Sequence, residues 1–136
     1  MDLSAINPVL LIASLMVAAT PLLLAAIGEL VVERAGVLNL GVEGMMIVGA
    51  IAGFAISVET QSPMLGLVAA VIGGAVLSLL FAFLTQVALA NQVASGLALT
   101  LFGLGLSALM GQSYVGLKPP AMAKLDIPVL SDLPVV

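Results

Sequence analysis

Three stretches of this chain, residues 8–28, 64–89 and 91–115, run for more than twenty positions each without a charged side chain. A bilayer hydrocarbon core about 30 Å thick is crossed by about 20 helical residues. In lipid every backbone N–H and C=O must find its partner within the segment, so a stretch of this kind enters a membrane as an α-helix. Water offers no competing solution. Of 136 residues 62% are hydrophobic and 7% charged, against roughly 45–50% and 25% in soluble domains. A water-soluble fold of this length would have too few charged groups to cover its surface. The expected fold is all-α: a polytopic transmembrane helical protein of about four hydrophobic segments, occupying residues 1–116.

The first segment, 8–28, contains Pro21 after Thr20. Proline removes a backbone hydrogen bond, and a bend is expected there. The second segment, 36–58, carries Asn39, Glu43, Gly36, Gly41, Gly44 and Gly49. A carboxylate at bilayer depth costs about 3 kcal/mol, so Glu43 is expected to face protein or water. This segment reads either as a full span or as a broken or re-entrant helix. The third, 64–89, follows the polar connector Glu59-Thr60-Gln61-Ser62-Pro63 and is the plainest lipid-facing candidate.

In the fourth segment, 91–115, Gln92, Gly96, Thr100, Gly103, Ser107 and Gly111 recur at steps of four, four, three, four and four. Those steps place all six on one helical face. Small residues in a stripe let another helix approach closely, which is how helices associate in a solvent as apolar as themselves. Gly96, Gly103, Ser107 and Gly111 are therefore helix-packing candidates, together with Gly49 and Gly53 in the second segment. From 117 to 136 the residues Pro119, Pro120, Pro128 and Pro134 are interspersed with Lys118, Lys124, Asp126 and Asp132. Spaced prolines forbid a long helix, and the stretch reads as an extended aqueous loop, truncated at Val136.

The densest group of polar residues is Glu29, Glu33, Arg34, Asn39 and Glu43. If helical, Asn39 and Glu43 lie one turn apart on one face. Two readings are open: Asn39 and Glu43 line a polar path or lock a helix break beside one, or Glu43 merely caps the orphan amides of a glycine-broken helix. Glu33 and Arg34 read as a boundary ion pair. Asn91, Gln92, Ser95 and Thr100 are candidates for contact with a solute along the fourth segment, with helix capping as the plainer role of Asn91.

Much chemistry is excluded. The chain has no Cys and no His, which removes thiol nucleophiles, imidazole bases and the usual zinc and haem ligands, so no metal or cofactor is expected. Asp126 and Asp132 both fall in the proline stretch, away from any intramembrane dyad, and no Gly-Lys-Ser/Thr loop cradles a phosphate. Arg34, Lys118 and Lys124 stand alone, too few to hold nucleic acid. The start, Met1-Asp2-Leu3, lacks the positive region of a cleaved signal peptide.

The run Thr20-Pro21-Leu22-Leu23-Leu24-Ala25-Ala26-Ile27-Gly28, followed by Glu33-Arg34-Ala35-Gly36-Val37-Leu38-Asn39-Leu40-Gly41-Val42-Glu43-Gly44-Met45-Met46, resembles the N-terminal signature of bacterial ABC-transporter permeases of the nucleoside-uptake type. These are relatives of the branched-chain amino acid and ribose permeases. Asn91-Gln92-Val93-Ala94-Ser95-Gly96-Leu97-Ala98-Leu99-Thr100 and Ile127-Pro128-Val129-Leu130-Ser131-Asp132-Leu133-Pro134-Val135 resemble later stretches of the same family. The resemblance implies a multi-pass protein of the bacterial inner membrane. It implies a second permease subunit, a cytoplasmic ATPase and an extracytoplasmic solute-binding lipoprotein as partners, with a nucleoside or similar small polar solute as cargo. Such permeases are roughly twice as long and include a cytoplasmic coupling loop with no counterpart here, so an N-terminal portion is expected. The resemblance puts Arg34 inside and the proline stretch outside, whereas Lys118 and Lys124 counted alone vote for the opposite orientation. The alternative function is a small non-transporting membrane protein that packs into a larger complex through its glycine faces.

Overall fold

The computed structural model describes residues 7–122. Four helices account for most of them: α1 (Pro8–Arg34), α2 (Val42–Thr60), α3 (Pro63–Ala82), continued by a π-helical turn (Phe83–Val87), and α4 (Gln92–Gly111), continued by a 3-10 turn (Gln112–Tyr114). There is no strand among the described residues. Each helix, with its continuation, is long and apolar enough to cross a membrane, and the chain is a multi-pass membrane protein. The readings made on Met1-Asp2-Leu3, Lys124, Asp126, Pro128, Asp132 and Pro134 lie outside the described residues.

The chain divides into two compact units, whose described parts are residues 7–28 and 29–122. In the first, α1 begins where Asn7 Oδ1 accepts the Val9 amide at 3.0 Å. Its polar side chains turn back on the helix: Ser14 and Thr20 donate to the Leu11 and Met16 carbonyls at 2.8 Å each. A hydroxyl satisfied this way presents little polarity to lipid. The helix runs on through Pro21 and past Gly28 as far as Arg34, six residues beyond the apolar run, because Glu29, Glu33 and Arg34 are compatible with a helix once they lie toward its end.

The second unit is built around α2. The turn at Gln61 and Ser62 is tight: Gln61 adopts the left-handed conformation (φ 53°), Ser62 caps α3 by accepting from the Leu65 amide, and Pro63 occupies the first helical turn, where its missing N–H costs nothing. Helices joined this tightly lie antiparallel. The interface is made of small residues. A Cβ at Gly53 would fall 2.9 Å from the Gly66 carbonyl oxygen, and one at Gly66 would fall 2.5 Å from Ser57 Cβ. Close backbone approach gains dispersion contact over a long seam, which replaces the hydrophobic drive that lipid does not supply.

Helix α4 packs on another face of α2, running parallel to it, as the pairings of Gly41 with Gly96, Gly44 with Gly103 and Ile51 with Gly111 require. A small core of Met45, Val48, Leu77, Phe81 and Leu99 forms among the three helices, with Val37 and Leu106 against it. Most large apolar side chains point outward instead, such as Leu79, Val71 and Leu101, as expected when the solvent is hydrocarbon.

The second segment departs from a helix over residues 36–58. Residues 37–41 have no regular structure and α2 starts only at Val42. The third helix ends in a π-helical turn rather than continuing regularly to 89, with Thr85 donating to the Phe81 carbonyl at 2.9 Å and Leu89 in the left-handed region (φ 53°). Nothing in the spacing of apolar residues distinguishes an α-turn from a π-turn.

Candidate functional site: the break before α2

The end of α1 closes in a Schellman motif. The Gly36 amide donates to the Glu33 carbonyl at 2.9 Å and the Val37 amide to the Val32 carbonyl at 3.2 Å. Gly36 has φ +83°, a conformation that strains any residue with a Cβ. The chain then folds back, and the next amides have no helical partner. Amides left without partners away from water cost about 1–3 kcal/mol each, so their satisfaction is the central question about this segment.

Side chains answer it. The Leu38 amide donates to Gln92 Oε1 at 2.8 Å, the Asn39 amide to Glu29 Oε1 at 3.0 Å, and the Gly41 amide to Asn39 Oδ1 at 2.9 Å. On the acceptor side, Thr100 Oγ1 donates to the Leu40 carbonyl at 3.0 Å. Asn39 is buried, and its Nδ2 points at Met45 Sδ, 3.6 Å away. The break is therefore clamped from three directions: from α1 by Glu29, from α4 by Gln92 and Thr100, and from within by Asn39.

Glycine completes the clamp. A Cβ at Gly96 would sit 2.9 Å from the backbone nitrogens of both Leu40 and Gly41, so α4 meets the broken segment main chain to main chain. Ser95, beside Gly96, is buried. Asn91 stands at the N-cap of α4, accepting the Ala94 amide at 3.0 Å. Gln92, Gly96, Thr100 and Gly103 all face the segment from 38 to 44, whereas Ser107 and Gly111 lie further along α4, where Gly111 comes near only the tip of Ile51.

Glu43 lies elsewhere. It is in the first turn of α2, exposed, and takes no part in the hydrogen bonds around the break. The N-cap position is Gly41, which offers no side-chain cap. The amides of the break itself, those of Leu38, Asn39 and Gly41, are held by Gln92, Glu29 and Asn39. A carboxylate near the positive end of a helix is favoured there by the helix dipole. Glu43, Met46 and Ala50 are exposed along one side of α2. Glu33 and Arg34 end α1 next to each other, both exposed, with Arg34 at the carbonyl end, where a cation is favoured.

Glu29 is the member of the clamp to which the sequence alone assigned no partner in the break. Its partner, the Asn39 amide, lies ten positions on, past a reversal of the chain. The signal available was indirect: an acidic residue late in an apolar helix, followed by a glycine stop.

At the other end of α2, Glu59 accepts a hydrogen bond from the Tyr114 hydroxyl. The Tyr114 ring meets Phe54 edge-on, with centroids 6.2 Å apart. An open apolar groove of about 360 Å³ lies nearby, between Gly53, Ser57 and Gly66, with Pro119 and Pro120 at its rim. No cluster of three or more acidic residues suited to a metal ion occurs among the described residues.

The family model described as "Branched-chain amino acid transport system / permease component" matches residues 11–121. A Haloferax volcanii protein provisionally assigned as a glucose ABC transporter permease, TsgC13, is 45% identical over 113 residues, which cover 83% of this chain and 34% of that protein. The guanosine ABC transporter permease protein NupQ of Bacillus subtilis is 35% identical over an alignment covering 100% of this chain and 46% of NupQ. The nucleoside ABC transporter permease protein NupC of Lactococcus lactis is 27% identical, with 93% of this chain and 43% of NupC covered. The chain thus spans less than half the length of these relatives. No solved structure matches it.

Proposed function

The chain belongs to the branched-chain amino acid transport system / permease component family, and from that premise we propose that it forms part of the membrane-spanning subunit of an ABC importer for a nucleoside. The observation that carries this reading is the clamped break at residues 37–41. Backbone that leaves the helix within a membrane protein is tolerated where protein or a water-filled cavity surrounds it, and transporters use such breaks to line solute paths. A span that only anchored the protein would have no need of four side-chain bonds to hold its backbone open.

In this reading Asn39 sets the shape of the break, Glu43 presents a carboxylate on the open face of α2, and Gln92, Ser95 and Thr100 belong to the supporting wall. The guanosine and nucleoside permeases among the relatives favour a nucleoside. The relative assigned to glucose makes a hexose the competing solute. Both carry a hydroxylated ring that a carboxylate and amides can hydrogen-bond. ATP is hydrolysed by a separate cytoplasmic subunit. A second permease subunit and an extracytoplasmic binding lipoprotein complete the importer in the bacterial inner membrane.

The alternative, a non-transporting protein that assembles a complex through its glycine faces, has less support. The faces at Gly44, Gly49, Gly53, Gly66, Gly96 and Gly103 are already covered by other segments of this same chain. Expressing the full-length protein with its ATPase and binding protein in a strain lacking nucleoside uptake tests the proposal. Restored, ATP-dependent uptake of labelled guanosine, resistant to excess glucose, is expected. No uptake of any nucleoside in cells where the complex assembles would sink it.

A further inference from the structure

We propose that Glu29 is a positioning residue of the solute path, acting through the main chain of Asn39. The inference rests on the reading of the break as part of that path. Once the Schellman turn has closed the Gly36 and Val37 amides, the next two amides along the chain have only side chains to meet them, and these come from different helices. Gln92 on α4 takes Leu38, and Glu29 on α1 takes Asn39.

Asn39 cannot satisfy its own amide. Its side-chain oxygen accepts from Gly41 and its nitrogen faces Met45. The Glu29 bond is part-buried and links positions ten residues apart. It therefore fixes how the chain returns after leaving α1, and with it the position from which α2 and Glu43 set out. A carboxylate is a strong acceptor for an amide, but one N–H needs only one oxygen. The geometry assigns Glu29 the role of acceptor, with no need for its charge. This separates it from Glu43, for which the charge-bearing group is free.

The test uses the full-length protein cleared of any other cysteine; the part described here has none. Leu40→Cys places a thiol on the exposed side of the break, and its labelling by a membrane-impermeant maleimide reports how firmly the segment is held. With Glu29→Ala, labelling is expected to quicken about tenfold and the KM for guanosine to rise by a similar factor. With Glu29→Gln both should return to the parent values.

Equal damage from Glu29→Gln and Glu29→Ala would overturn the proposal, since charge would then be required. So would unchanged labelling and KM in Glu29→Ala. Should Glu29→Ala fail to accumulate, Glu29→Asp replaces it: its shorter side chain falls short of the Asn39 amide, so the same quickening is expected, and its absence is again fatal. Labelling does not depend on the transported solute. A protein that moves no nucleoside therefore refutes the transport reading, while the labelling series still decides the role of Glu29.

Discussion

Gly44 of α2 and Gly103 of α4 meet backbone to backbone: a Cβ at Gly103 would lie 2.7 Å from the Gly44 carbonyl oxygen and 2.8 Å from its Cα. Neither neighbouring atom belongs to a flexible side chain that could swing aside. This contact fixes the separation of the two helices just below the break, so the side-chain bonds of Gln92 and Thr100 can reach main chain rather than water.

Gly103→Leu is accordingly expected to push α2 and α4 apart and cost about 1–3 kcal/mol, the usual range for overpacking. Gly105→Leu, on the same helix but with nothing within 4 Å of the added Cβ, should be nearly neutral. Thermal unfolding of the detergent-solubilised full-length protein compares them, and equal losses would contradict the packing described.

Thr100→Val removes the donor to the Leu40 carbonyl while keeping the shape of the side chain. A loss of about 1 kcal/mol is expected, small because bonds between membrane helices are modest in net worth. Thr100→Ser should retain most of the stability. If the valine variant matches the parent in the unfolding midpoint, the bond contributes nothing.

Asn91→Ala should destabilise the start of α4 by about 1 kcal/mol and Asn91→Asp hardly at all, because the aspartate also accepts from the Ala94 amide. Hydrogen exchange at residues 92–95 provides the readout: faster exchange in the alanine variant alone is the expected pattern.

Tyr114→Phe keeps the edge-on contact with Phe54 and removes only the bond to Glu59. The pair is exposed, so only a slight fall in the unfolding midpoint is expected, because water competes for both partners. Tyr114→Ala, which loses the ring contact as well, should cost more. Unfolding midpoints ranked in any other order would weaken the assignment.

Glu43→Gln should lower the unfolding midpoint only slightly, since Glu43 holds none of the bonds around the break and loses only its favourable placement at the start of α2. If Glu43 serves the solute, uptake of guanosine by the full-length importer should fall about tenfold or more, the effect of losing a charged hydrogen-bond partner. Full uptake with this variant would remove Glu43 from the path and leave Asn39 and its neighbours with a structural role.

Legibility in the sequence followed the range of the interactions. The absence of charge over 64–89 and 91–115 was enough to read the membrane helices, because insertion into lipid depends on summed side-chain polarity along one segment. The three-and-four spacing of Gln92, Gly96, Thr100 and Gly103 showed a common face, since helical geometry is local. Glycine density around Asn39 and Glu43 marked the second segment as irregular. It did not show that α2 begins at Val42, that Glu43 stands apart from the clamp, or that Glu29 belongs to it.

Those points required the tertiary structure. The bonds to Leu38, Asn39 and Leu40 come from residues 54, 10 and 60 positions away, and no periodicity within a single helix encodes which acceptor another helix will bring. By itself the sequence determined that the chain lives in lipid as helices, because that preference is additive over residues. Only the packed structure decided where the helix breaks and what holds the break, because an unpaired amide is satisfied by whichever group the fold places within about 3 Å of it.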